Sequence, residues 1–320
     1  MKKKIWISLA VFLALVILVL GFAGNYFYGV AVAINQKDFI EAIDVDGDYD
    51  PEDPWLEEKR WYDEVEREEL SIISGDGLKL SGIYIESELA SKKVALLAHG
   101  YAGNLEQMAS YVKLYHDMGF NVFVPDARGH GTSEGDYIGF GWHERKDYLQ
   151  WIQLMIDKVG TDAELALFGV SMGGTTVMNV SGEELPDNVK VIVEDCGYSS
   201  LNGELAYQLK DMYNLSEYPL IPITSLVTKL RSDYWFGEAN TTEHIKNNKV
   251  PMLFIHGAND KFVPTEMVYD VYEANPSPKE LYIAPNADHA EAYEKNKKEY
   301  KQKVQAFVLK YVTQTTEQSK

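Results

Sequence analysis

The stretch Leu165-Ala166-Leu167-Phe168-Gly169-Val170-Ser171-Met172-Gly173-Gly174 constrains this chain more than any other. A short apolar run of strand-like composition breaks at Gly169, and helix-compatible residues resume beyond Gly173. Ser171 sits between them, with glycine two places before and two places after. That is Gly-x-Ser-x-Gly, a strand-to-helix elbow that lifts a serine hydroxyl above the end of a sheet. A serine in so tight a turn is held in a strained backbone conformation, and side chains beside it would keep strand and helix apart. The bare pattern is weak; the strand before it and the helix after it give it weight.

The rest of the chain supplies the sheet that such an elbow needs. Residues 71–86 alternate about Asp76-Gly77, a hairpin signal. Residues 94–97 then read as a buried strand ending at His99-Gly100, 105–118 as a helix, and 120–124 as a strand running into Asp126-Ala127-Arg128-Gly129-His130-Gly131. A helix over 143–159 precedes the elbow, strands follow at 189–193, 252–255 and 281–283, and a helix over 291–311 closes the domain. This alternation predicts an α/β fold with a mostly parallel sheet and helices on both faces. One interval breaks the rhythm. Residues 197–248 separate two strands by far more than the usual connection of about 2–6 residues. Rich in leucine, tyrosine and other large apolar residues, the insertion is either a lid over the carboxyl end of the sheet or extra helices that extend the core.

At the N-terminus, Lys2-Lys3-Lys4 precede an apolar run over 5–24 in which Ser8 is the only polar member. At about 1.5 Å per residue, roughly 20 residues match a hydrocarbon core of about 30 Å. Lysines on the leading side only put the N-terminus in the cytoplasm, and Tyr26-Phe27-Tyr28 supply an aromatic far interface. A signal peptide cleaved after Ala31-Val32-Ala33 is the competing reading, disfavoured because its apolar region would be shorter and nearer the cut.

The formal charge of −19 is localised: residues 38–69 hold fifteen acidic residues against Lys59, Arg60 and Arg67. With no basic face to neutralise phosphates, nucleic-acid binding is disfavoured. Calcium loops starting at Asp44 or Asp46 both fail, the first with Trp55 at the twelfth place and the second with Pro51 where glycine is required. A solvated spacer is the reading that remains, followed by a short helix carrying Trp55, Trp61, Tyr62 and Val65 onto the domain. Cys196 is the single cysteine, which excludes an internal disulfide and a cysteine-based metal site.

A serine hydroxyl needs a base to become a nucleophile, and the base needs a carboxylate to orient it. The last strand runs into Asn286-Ala287-Asp288-His289-Ala290, and the strand before it into His256-Gly257-Ala258-Asn259-Asp260, ending at Val263-Pro264. Chain order is therefore Ser171, Asp260, His289, the order that accompanies this elbow. Asp195, at the end of another strand, is a rival for Asp260. His256 reads as a packing or loop-bracing residue and His130 as a fixer of loop geometry. A tetrahedral intermediate also needs oxyanion donors, read as the backbone N–H groups of Met172 and Tyr101. The ring of Tyr101 either walls an acyl pocket or is an ordinary surface aromatic.

Taken with His99-Gly100-Tyr101-Ala102-Gly103-Asn104, the Asp126 to Gly135 turn and the loops of Asp260 and His289, the elbow resembles the α/β-hydrolase superfamily. Over residues 70–311 the chain is similar to membrane-anchored bacterial serine hydrolases, both carboxylesterases and relatives of prolyl-oligopeptidase-type peptidases. The resemblance implies Ser171 as nucleophile, Asp260 as acid, His289 as base, no cofactor and no metal. It leaves the substrate open, because one fold hosts many chemistries. A carboxylesterase acting on a small ester or acyl substrate is the leading expectation. A peptidase is the alternative, weakened by the lack of room for a gating domain between Gly24 and Leu70; a non-catalytic surface binder is the third. The expected organisation is a cytoplasmic 1–4, a bilayer anchor at 5–28, an acidic linker and short helix at 29–69, a core at 70–196 and 249–312, a cap at 197–248 and a tail at 313–320. Such a protein would sit in the cell membrane as a single-pass protein with its catalytic domain outside.

Overall fold

The computed structural model describes residues 2–34 and 50–313. The acidic positions 38–49, and with them the opening residues of both calcium-loop registers, lie outside the described residues. The chain opens with α1 (Lys2–Ala31), then α2 (Leu56–Glu64) and a hairpin of β1 (Glu68–Ile73) and β2 (Lys79–Ile85). Next come β3 (Lys93–Ala98), a 3-10 turn at Leu105–Met108, α3 (Ala109–Asp117), β4 (Asn121–Pro125) and α4 (Glu144–Val159). The elbow joins β5 (Glu164–Val170) to α5 (Met172–Ser181), followed by β6 (Val189–Asp195). The insertion holds α6 (Leu201–Tyr213), α7 (Glu217–Ser232) and the short α8 (Thr241–His244). β7 (Met252–Gly257), α9 (Glu266–Ala274), β8 (Lys279–Ala284), α10 (Ala292–Lys295) and α11 (Lys297–Tyr311) complete the order.

The sheet runs β1-β2-β4-β3-β5-β6-β7-β8. β2 pairs antiparallel with β1 and β4, and every later neighbour is parallel. Both faces of the parallel part are covered. Leu165 and Leu167 of β5 enter one buried cluster with Trp151 and Met155 of α4, while Ala166 and Phe168 enter another with Tyr115 of α3 and Tyr300 of α11. That period of two, apolar on both sides, is what a strand sandwiched between helices requires. The hairpin turns at Asp76-Gly77 as the sequence predicts, with Gly77 at φ +93°. Two expected helices are divided. The one over 105–118 begins as a 3-10 turn capped by Asn104, and the one over 291–311 breaks at Asn296, whose side chain donates to the Pro285 carbonyl.

From Ile5 to Val19 α1 is exposed and, Ser8 apart, apolar, and the helix is long enough to cross a membrane. Its last turns are different. Gly24, Tyr28 and Val32 are buried, and the Tyr28 hydroxyl lies 3.0 Å from Ser232 Oγ of α7. Ile138 N–H donates to Val32 O at 2.8 Å, and Ile34 N–H to Asp136 O at 3.1 Å. The helix therefore ends inside a third apolar cluster, between the cap and the loop after β4.

Candidate active site

Parallel strands deliver their carboxyl-end loops to one rim, and the site is built there. Ser171 has φ +57° and ψ −121°, a left-handed-side conformation that costs an L-residue energy and persists only because its surroundings hold it. The flanking glycines are sterically required. A Cβ on Gly169 would collide with the Gly173 carbonyl, and one on Gly173 with the Ala98 carbonyl of β3. Ser171 N–H donates to Asp195 O at 2.8 Å, tying the elbow to the end of β6.

His289, six residues beyond Ile283 of β8, approaches from the opposite side. Its Nε2 is 2.8 Å from Ser171 Oγ, and its Nδ1 is 2.7 Å from Asp260 Oδ2. A carboxylate only accepts, so Nδ1 carries the proton and Nε2 is left to accept from the serine hydroxyl. The structure thus brings together Ser171, Asp260 and His289. The Phe262 ring lies against the imidazole, centroids 5.0 Å apart.

Asp260 is buried, which opposes its charge, but hydrogen bonds outweigh burial and hold its pKa down to about 2. Its Oδ2 receives His256 and His289, and its Oδ1 accepts the backbone N–H groups of Phe262 and Val263, both at 2.9 Å. His256 Nε2 stands 2.9 Å from Val263 O and 3.2 Å from Asp260 Oδ2. It braces the loop, as the sequence reading has it, and also faces the carboxylate, which that reading misses. The only available signal is its spacing four residues before Asp260 at a strand end.

Asp195 points elsewhere. Its Oδ2 accepts from the Tyr300 hydroxyl at 2.8 Å, and burial raises its pKa to about 6. Cys196 Sγ lies within 4.8 Å of the ligand atoms of Asp260 and His289. Two properties make that trio a poor metal cradle. His289 Nδ1 is already held by Asp260, and burial pushes the Cys196 thiol well above its ordinary pKa, so a thiolate ligand would be costly.

Tyr101 follows Gly100, where an added Cβ would stand 3.5 Å from Ser171 Cβ, and Met172 is the first residue of α5. Their backbones therefore flank the serine on the β3 and α5 sides. His99 sets this loop: its Nδ1 donates to Gly100 O at 2.8 Å, its Nε2 accepts Ala127 N–H at 2.9 Å, and burial holds it neutral with a pKa down to about 3. His130 Nδ1 lies 2.9 Å from Arg128 O and its ring packs on His99, a loop-fixing place.

Over Ser171 lies an apolar cavity whose walls include Tyr101, Leu205, Leu209 and Leu220. The cap helices α6 and α7 supply the three leucines, so the insertion walls the site as well as adding core. Phe27, Val30 and Ala31 of α1 line the same cavity. No sequence signal in an apolar run marks those three.

Sheet order, strained elbow and the pair of loops facing it place the chain among the α/β-hydrolases, here with a serine at the elbow. Residues 106–315 match the prolyl oligopeptidase family, and the uncharacterized protein YqkD of Bacillus subtilis (strain 168) is 30% identical over 77% of this chain and 81% of its own. The chain belongs to the prolyl oligopeptidase family. Pyrococcus furiosus esterase Pf2001 shares the fold at a TM-score of 0.63 and 23% identity, over 83% of this chain and 98% of the esterase. Pyrococcus horikoshii acylaminoacyl peptidase does so at a TM-score of 0.56 and 19% identity, over 81% of this chain but 44% of the peptidase.

Proposed function

We propose that this protein is a membrane-anchored serine hydrolase that cleaves carboxylic esters through an acyl-enzyme. The observation that carries the reading is the position of His289, with one ring nitrogen 2.8 Å from Ser171 Oγ and the other 2.7 Å from Asp260 Oδ2. Ser171 Oγ bonds to the acyl carbon as its proton passes to His289 Nε2. Collapse of the tetrahedral intermediate expels the alcohol, which leaves with that proton. Water then attacks the acyl-enzyme, giving a proton to Nε2; release of the acid returns that proton to Ser171. Asp260 keeps Nδ1–H in register and stabilises the imidazolium, and the N–H groups of Met172 and Tyr101 hold the oxyanion, each worth about 3–4 kcal/mol. No step calls for a cofactor or a metal.

The apolar helix supports a single-pass place in the cell membrane, with Lys2, Lys3 and Lys4 on the cytoplasmic side and the catalytic domain outside. Retention of the helix is supported by its packing. Cleavage after Ala33 would strip Tyr28 and Val32 from a buried cluster and remove Ala31 O, which accepts the Tyr101 hydroxyl at 2.7 Å. The division into anchor 5–28, linker 29–69, core 70–196 and 249–312, cap 197–248 and tail 313–320 is retained as part of this reading.

A fluorophosphonate probe should label wild type and not Ser171→Ala, with p-nitrophenyl esters turned over faster than peptide anilides. Faster anilide hydrolysis would replace the esterase with a peptidase, the reading that the family and the acylaminoacyl peptidase neighbour favour. Neither labelling nor turnover would leave a binding protein. Resistance of the protein to carbonate extraction checks the anchor.

A further inference from the structure

The end of α1 is a wall of the cavity above Ser171. Tyr101 hydroxyl donates to Ala31 O at 2.7 Å, and the Phe27 and Tyr213 rings meet edge to face at 5.6 Å. Gly24 lets α7 come close, since a Cβ there would stand 3.0 Å from Ile223 O. The end of α1 is thus held both by the Tyr101 loop of the core and by the cap, not joined only through the acidic segment.

Position along α1 sets the depth of the cavity relative to the bilayer. With the apolar run ending near Gly24, Phe27 to Ala31 lie one to two turns, roughly 5–11 Å, beyond the hydrocarbon boundary. Gly24 meets Ile223, and Tyr28 meets Ser232, so α7 runs outward alongside α1. The chain that leads into α7 stays beside the same helix, since Tyr213 packs on Phe27 before the backbone kinks at Tyr218. Leu215 and Tyr218, in the turn between Tyr213 and that kink, are 39% and 70% exposed, an apolar surface suited to headgroups and acyl tails rather than to water. Leu220 and Tyr213, on either side of that turn, line the cavity that reaches Ser171.

The lining itself is apolar apart from a few groups. Glu204 is its carboxylic acid, and burial raises the Glu204 pKa to about 8, so the wall is uncharged at neutral pH. Gln208, beside it, spends its amide on Glu204 and on Phe262 O. Such a channel has little to offer a charged or strongly hydrated acyl group and much to offer a hydrocarbon chain.

We propose that this cavity is an acyl-chain channel open to the bilayer, with Phe27, Val30 and Ala31 of the membrane helix as specificity residues. The substrate class is a long-chain carboxylic ester drawn from the leaflet in which the enzyme sits. The proposal rests on the hydrolase reading above, with Ser171 in the wall of the channel and the ester carbonyl beside it.

The test uses the full-length protein reconstituted in phosphatidylcholine vesicles. A fluorogenic palmitoyl ester is placed either in the enzyme's own vesicles or in a separate population, and the first should be hydrolysed about tenfold faster or more. Val30→Trp, which fills the channel from the helix side, should lower the palmitoyl-to-butyryl ratio of kcat/KM by about tenfold or more. Phe27→Ala, which widens the channel from the same side, should raise it. Equal rates from the two vesicle populations, or an unchanged ratio in a Val30→Trp protein that still takes the fluorophosphonate, overturns the channel. If Val30→Trp fails to take the probe, a raised ratio for Phe27→Ala supports the channel instead, and a fallen or unchanged ratio overturns it. A wild type that neither labels nor cleaves the butyryl ester overturns the hydrolase reading itself.

Discussion

Asp195 ends β6 and Asp260 lies in the loop after its neighbour β7, both buried, and their pKa values move in opposite directions. Asp260 falls to about 2 and Asp195 rises to about 6. Burial opposes charge at both. The difference is the number of donors: Asp260 draws two backbone N–H groups and faces two imidazoles, whereas Asp195 takes one hydroxyl and its Oδ1 has no hydrogen-bond partner. A buried carboxylate stays charged where the fold aims donors at it, and that is the property a partner for an imidazolium must have.

The largest expected effect breaks the comparison on the Asp260 side. Asp260→Asn presents an amide to His289 and favours the wrong tautomer, so kcat on a p-nitrophenyl ester should fall about 10⁴-fold while fluorophosphonate labelling slows in parallel. Retained activity in Asp260→Asn together with its loss in Asp195→Asn would transfer the acid to Asp195.

Asp195→Asn should act on stability instead. The folded-state pKa lies above the ordinary 3.8, so the native state holds this proton more tightly than the unfolded chain does. The stability it contributes is full below 3.8 and is lost as pH rises through about 6, a difference of up to about 3 kcal/mol. The asparagine has no such titration. Relative to wild type, its thermal midpoint should therefore improve between about pH 4 and pH 7. An offset that is the same at both pH values would contradict the raised pKa.

His256 sharpens the comparison, because it is one of the donors that Asp195 lacks. His256→Phe keeps a ring in a fully buried place and removes both hydrogen bonds of Nε2. Ester kcat should fall about tenfold, and His256→Gln, whose amide can still donate, should recover most of it. Equal losses in both would mean that the site needs the ring for packing and not for the carboxylate.

How much of this was legible in the sequence follows from which residues signal locally. The alternation of apolar runs, the Asp76-Gly77 turn and the glycines about Ser171 carry the fold, since each is a short-range requirement of a strand, a turn or an elbow. The ends of β7 and β8 carry Asp260 and His289, because parallel strands must deliver those loops to the rim where the elbow stands. His256 was half legible: its loop-bracing place was, its shared carboxylate was not, since four residues along an irregular loop fix no direction. The anchor's share in the cavity was not legible either. Phe27, Val30 and Ala31 look the same to a hydropathy scale whether they face lipid or protein. The nearest signal is a small residue and a hydroxyl four places apart, Gly24 and Tyr28, on one face of the helix that meets α7.

The smallest effect on turnover is expected at Tyr300, the single donor that distinguishes Asp195 from an unpaired buried acid. Tyr300→Phe keeps the ring in its stack on Tyr293, 4.6 Å between centroids, and removes only the hydroxyl that reaches Asp195 Oδ2 at 2.8 Å. Above about pH 6, where Asp195 is ionised, the loss should cost about 1–3 kcal/mol. Below that pH the acid is protonated and the cost should shrink toward that of an ordinary neutral hydrogen bond, about 1 kcal/mol. Ester turnover should hold, because Tyr300 touches Asp195 and not the Ser171, His289 and Asp260 relay. Thermal midpoints of wild type and Tyr300→Phe on either side of that pH give the difference directly. A loss of turnover comparable to that of His256→Phe would mean that the two aspartates are coupled through Cys196 and the end of β6, and that the carboxylate holding His289 depends on the one beside it.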